Sequence, residues 1–69
     1  MPLSMARPGE TLVIRKITGK DGVRTHLAEL GLVVDGVVTV VTELAGGLIL
    51  QVKDSRVALD RDLASRILV

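Results

Sequence analysis

His26 and Glu29 stand three residues apart, Asp60 and Asp62 two apart, and these spacings are where the 69-residue chain comes nearest to chemistry. Side chains at i and i+3 of a helix are neighbours, so an imidazole and a carboxylate there could share a metal ion. Two ligands do not complete a metal site, and a solvent-facing helix pair accounts for both residues without one. Asp60 and Asp62 have the look of paired acids for proton transfer or iron binding. They also fall where a helix N-terminus favours anionic side chains, which is the simpler reading. His26 is the only histidine, and cysteine and tyrosine are absent. A nucleophile paired with a base, or a thiolate cluster, therefore has no members to draw on. The expectation is a chain that is not an enzyme, with no catalytic residue, no resident metal and no cofactor.

Other functional classes fare little better. Gly19, Gly22, Gly46 and Gly47 match neither phosphate-binding glycine pattern and read as turn residues. Arg15, Lys16, Lys20 and Arg24 gather around one loop, and they motivate an alternative reading as a small nucleic-acid-binding barrel. Base stacking needs an aromatic platform, and the chain has no aromatic residue, so nucleic acid is not the expected partner. The same lack argues against proline-rich peptides, whose grooves are aromatic-lined. Nine basic and eight acidic residues leave a net charge of +1, too little for a collecting field. The basic residues fit a solvated face, or one that meets an acidic protein.

The elements that would position these groups turn on one stretch, LAELGLVVDG at residues 27–36. Val23, Leu27 and Leu30 share a helix face, which predicts a short helix over residues 22–30 capped by Asp21. Gly31 follows where a helix end needs a left-handed residue. Asp35-Gly36 signals a turn into the β-branched run Val37 to Val41. Strands are expected at residues 10–17, 37–44, 48–53, 56–59 and 66–69, the last pairing with the first. Ala45-Gly46-Gly47 and Asp54-Ser55 would make the hairpin turns of a meander. Asp60 would open one helical turn, and Leu3 or Met5 would anchor the N-terminal lead-in. In the third strand Leu48, Leu50 and Val52 should point inward. A sheet this short would leave long open edges unless it closed. The fold class is therefore mainly β: a small SH3-like barrel of about five strands, with one short α-helix after the first strand and a helical turn before the last.

At this length the chain is one domain, residues 1–69. Apolar residues make up 48% of it without an aromatic, so the core must be Val, Leu and Ile. The longest apolar stretch, residues 30–41, is broken by Asp35 and is too short to span a bilayer. The first residues lack the pattern of a signal peptide, and a cytoplasmic location without membrane insertion is expected. A positive mean hydropathy in so small a chain suggests apolar surface shared with a partner. Arg24, Leu32, Val33 and Val34, at the helix and its corner, are the candidate partner-binding residues. Packing of the valines into the core is the competing account.

The ordered set LAELGLVVDGVVTVV, GG-LILQVKDSRVAL and A-SRILV, preceded by PGETLVIRKI, resembles the ferrous iron transport protein A (FeoA) family. The matching positions are Leu27, Leu30 and Gly31; Gly36; Gly46 and Gly47; Arg56, Ala58 and Leu59; and Ala64, Ile67 and Val69. The resemblance implies an SH3-like barrel that serves bacterial ferrous iron uptake as a small cytoplasmic accessory or regulatory protein. It implies docking by protein–protein contact on a FeoB-like membrane transporter subunit with a GTP-binding domain, and leaves room for a homo-oligomer. A related barrel forms a domain of metal-dependent repressors, which gives a second alternative, a metal-regulator module.

Overall fold

The first strand is two strands. In the computed structural model, which describes all 69 residues, β1 covers Thr11–Val13 and β2 covers Lys16–Ile17. The bend between them shows in the hydrogen bonds of adjacent residues. The Ile14 N–H donates to the Gly36 carbonyl (2.9 Å) and its carbonyl accepts from the Asp35 N–H (2.8 Å), whereas the Arg15 N–H donates to Leu68 (2.7 Å). Consecutive residues thus join different sheets, the usual way a strand turns a corner. This also explains a break in the alternation expected over residues 10–17. Ile14 and Ile17 are both buried although they stand three positions apart, because the chain turns between them.

After β2 come α1 (Asp21–Glu29), β3 (Val37–Leu44), β4 (Gly47–Val52), β5 (Ser55–Asp60), α2 (Arg61–Ser65) and β6 (Ile67–Leu68). One antiparallel sheet has the order β1-β3-β4-β5, and β2 pairs with β6 in a second. The last strand therefore does pair with the first, through its second half only. The N-terminal segment lies along β6 on its other side. Pro2 bridges to Leu68, the Val69 N–H donates to the Met1 carbonyl (2.8 Å), and a 3-10 turn at Leu3–Met5 follows. Leu3 is the anchor, fully buried, while Met5 faces solvent.

Curvature enters β3 as a bulge. The register with β4 slips between Val40 and Thr42, leaving Val41 as the extra residue, and such an insertion bends a strand. Leu48, Leu50 and Val52 of β4 are buried as the alternation predicts, facing Val38 and Val40 of β3 in a core that contains no polar side chain. Gly47 belongs to β4 rather than to the preceding turn, which is Ala45-Gly46 alone. A Cβ at Gly47 would fall 2.2 Å from the Leu59 carbonyl oxygen, so the close approach of β5 excludes any side chain there. The second hairpin turns at Lys53-Asp54, one residue earlier than expected, with Lys53 at φ 54°. At the Asp35-Gly36 turn the left-handed residue is Asp35, at φ 70°, and not the glycine. The short polar side chain of aspartate is among the few that tolerate this region.

Helix α1 starts one residue early. Lys20 is its N-cap, without a side-chain capping bond, so Asp21 lies in the first turn instead of capping it. The C-terminus is closed more completely. Gly31 takes φ 90°, its N–H donates to Ala28 (2.9 Å), and the Leu32 N–H reaches back to Leu27 (2.9 Å). This double bond pattern is a Schellman motif, and its two hydrophobic ends, Leu27 and Leu32, are fully buried in the core. Asp60 does cap α2, accepting from the Leu63 N–H at 2.7 Å.

Gly31→Val should cost at least about 1–2 kcal/mol of folding stability, since the left-handed conformation rejects a Cβ and that atom would also press on Val52 at 3.2 Å. Asp60→Ala should cost about 1 kcal/mol through the lost cap. Denaturant midpoints measure both, and an unchanged midpoint for Gly31→Val would contradict the helix closure described above.

Candidate partner-docking surface

The side chains that sequence alone marks for chemistry lie apart and exposed. His26 and Glu29 are both on the solvent side of α1, and no group of three or more His, Asp or Glu side chains is placed to hold a metal ion. The acidic pair near the C-terminus is occupied with α2. Asp60 caps it, and Asp62 pairs with Arg66 at 3.8 Å while its carbonyl accepts from the Ser65 hydroxyl. Of the basic residues, Arg15 and Lys16 sit at the bend of the first strand, Lys20 stands at the N-terminal boundary of α1, and Arg24 lies 3.6 Å from Asp21 in an exposed pair. Such pairs contribute little to stability in water.

The largest concavity is an apolar groove of about 640 Å³ between the C-terminal end of α1 and the outer face of β3 and β4. Ala28 and Gly31 form its helix side, Val33, Gly36 and Val37 one rim, and Thr39, Gln51, Val52 and Lys53 the floor and far wall. The local sequence explains why it is open. Gly31 has no side chain to fill the space above Val52, and Asp35 in its left-handed turn carries the chain outward before β3 begins. Val38 and Val40 point into the core, so the two-residue period sends Val37 and Thr39 to the other face. Val33 and Val37 remain 46% and 55% exposed on the rim, with Val34 beside them at 50%. The polar wall is tied down: the Gln51 amide donates to the Lys53 carbonyl (2.8 Å) and accepts from the Arg56 guanidinium (3.2 Å), and the Thr39 hydroxyl bonds to Thr11 (3.0 Å).

The expected partner-binding set is therefore brought together only in part. Val33 and Val34 are exposed at the corner as that reading requires. Leu32 is corrected: it is 0% exposed, because as the last residue of the helix closure it packs inward and can touch no partner. Arg24 stands one helical turn before Ala28, on the same face of α1, which sets it beside the groove rather than in it. Val37 was absent from the expected set. Its signal was the parity of β3, since choosing Val38 and Val40 as inward residues exposes Val37 at the strand's start. The groove offers apolar surface, a fixed amide, the Thr39 hydroxyl and one lysine, and its lining includes no histidine or carboxylate.

No helix is long and apolar enough to cross a membrane. Comparison with known proteins agrees with the fold. A protein of Methanocaldococcus jannaschii, provisionally named Fe(2+) transport protein A, is 31% identical over 68 residues, covering 99% of this chain and 83% of that one. The crystal structure of an iron uptake regulatory protein (FeoA) superposes with a TM-score of 0.91 at 29% identity, over 97% of this chain and 91% of the other. A manganese-dependent transcriptional repressor contains a similar barrel, with a TM-score of 0.87 at 23% identity, matching 97% of this chain but 39% of the repressor, a likeness of fold. The FeoA domain model matches residues 1–69, from the first residue to the last, and the chain belongs to the FeoA domain family.

Proposed function

We propose that the chain is a non-catalytic accessory of ferrous iron uptake, which docks through its apolar groove on the membrane transporter subunit bearing a GTP-binding domain and regulates it from the cytoplasmic side. The family match over residues 1–69 carries this reading, and the name of the M. jannaschii relative points to the same process. The groove supplies a physical means. Val33 and Val37 hold exposed apolar surface in place on a short turn and a strand, so little ordering entropy is lost when a partner covers them. Arg24, on the adjoining helix face, would meet acidic groups at the rim of the partner and guide its approach.

Covering a half-exposed valine is worth about 1 kcal/mol, and a carboxylate in its place would lose its hydration when the partner closes over it. Val33→Glu combined with Val37→Glu should therefore weaken binding to the purified transporter by about tenfold or more, and should lower ferrous uptake in the native host toward that of a deletion strain. Normal binding and uptake by this variant would remove the groove from the account. An unchanged uptake after deletion of the whole chain would remove the role itself. Ferrous or zinc ion at micromolar concentration is expected to leave the NMR signals of His26 and Glu29 in place. A saturable shift there would instead show a metal site on α1.

A further inference from the structure

Strand β5 is the longer of the two edges left by the sheet order β1-β3-β4-β5. It runs six residues against β4 without a register shift, while β1 has three. Only β4 and the following helix pack closely against it. Long regular edges are usually blunted by proline, a bulge or a covering segment, because their unpaired backbone groups recruit other strands. Here neither a proline nor a bulge interrupts Ser55 to Asp60.

The phase of the ladder decides which groups are free. The turn at Lys53-Asp54 closes on the pair Val52 and Ser55, joined by the hydrogen bond of the turn, and paired residues alternate from there between bonded and non-bonded positions. Ser55, Val57 and Leu59 thus direct their N–H and C=O groups at β4. Arg56 and Ala58 direct theirs outward, and neither makes a backbone hydrogen bond outside the ladder. Arg56, Ala58 and Asp60 also share the exposed face of the strand. The order along that face is cation, small residue, anion, and this order is complementary to itself when reversed.

We infer that the free edge of β5 pairs with the same edge of a second copy of this chain, in the antiparallel register that sets Ala58 opposite Ala58 and Arg56 opposite Asp60. In this register the outward N–H and C=O groups of the two Ala58 residues meet each other at the two-fold axis, and those of Arg56 meet the strand end at Asp60 of the other copy. Each guanidinium then lies across from a carboxylate on both sides of the axis, an arrangement that stabilises cross-strand pairs. Registers shifted by two residues would break this match and leave the charges unopposed. Ala58 on the axis removes the steric obstacle that a larger exposed residue would place there. A hollow of about 350 Å³ beside the edge, bordered by Leu44, Ala58 and Asp60, receives the aliphatic stem of the incoming Arg56. The symmetric contact is isologous and closes at two chains, so the edge is consumed without propagating a fibre. This surface meets the groove between α1 and β3 only through Arg56, whose guanidinium holds Gln51 of the groove wall, and the inference stands whether or not that groove docks on a transporter.

Analytical ultracentrifugation of the full chain at rising concentration tests it, together with amide hydrogen exchange. The expected result is a monomer–dimer equilibrium that weakens with added salt, in which the Arg56 and Ala58 amides gain protection as the dimer forms. Ala58→Pro removes an N–H that β4 does not use and should leave a folded monomer. Arg56→Glu sets like charges opposite Asp60 twice per dimer and should raise the dissociation constant about tenfold or more, which keeps the test decisive if the proline variant folds poorly. A chain that stays monomeric into the millimolar range overturns the inference. So does a dimer that survives Arg56→Glu unweakened, or one in which the Arg56 and Ala58 amides remain unprotected.

Discussion

The closure of helix α1 onto the core is the constraint on which the structure depends. At nine residues the helix is too short to persist in water alone, and what holds it is its C-terminal end. Gly31 in its left-handed conformation lets the Leu32 N–H bond back to Leu27, and both leucine side chains enter the core from opposite sides of the corner. The backbone bonds satisfy carbonyls that would otherwise be stranded at a helix end, while the side chains provide the apolar burial that makes the bend favourable. The same glycine leaves the space above Val52 unfilled. One residue thus both secures the helix and opens the groove beside it.

The remainder of the fold follows from covering a small aliphatic core without aromatic volume. Branched side chains from β3 and β4 form its centre, and the bulge at Val41 bends β3 over it. The first strand divides at Ile14 and Arg15 to serve two sheets, and the N-terminal residues close over β6 with Leu3 as their anchor. Each half of the barrel is too small to bury its own apolar face, so the corners between the sheets matter as much as the ladders within them. Closure on the β5 side is incomplete, which leaves one regular edge facing water.

Features that rest on one residue type in one backbone state were legible in advance. Gly31 at the helix end, Asp60 as a cap and the inward set Leu48, Leu50 and Val52 need only local chemistry and a known period. Features settled by two distant segments were not. The division of the first strand is decided by where Gly36 and Leu68 arrive, and Gly47 lies in a strand because β5 presses on it, neither of which a local reading contains. At the candidate site, exposed valines were foreseeable from the corner. Leu32 looked equally available because its burial depends on the helix closure, whereas Val37 was hidden within a run that reads as uniform core.

Under the proposed docking, the groove and no ionisable cluster is what a partner touches. The most direct measurement is methyl NMR of the isotope-labelled chain titrated with the cytoplasmic GTP-binding part of the transporter subunit. Shifts concentrated on the methyls of Val33, Val37 and Val52, with Leu3 and Leu50 in the sealed core unmoved, are the predicted result. Perturbation confined to the face of Arg15, Lys16 and Lys20, or to His26 and Glu29, with the groove methyls silent at saturation, would contradict it.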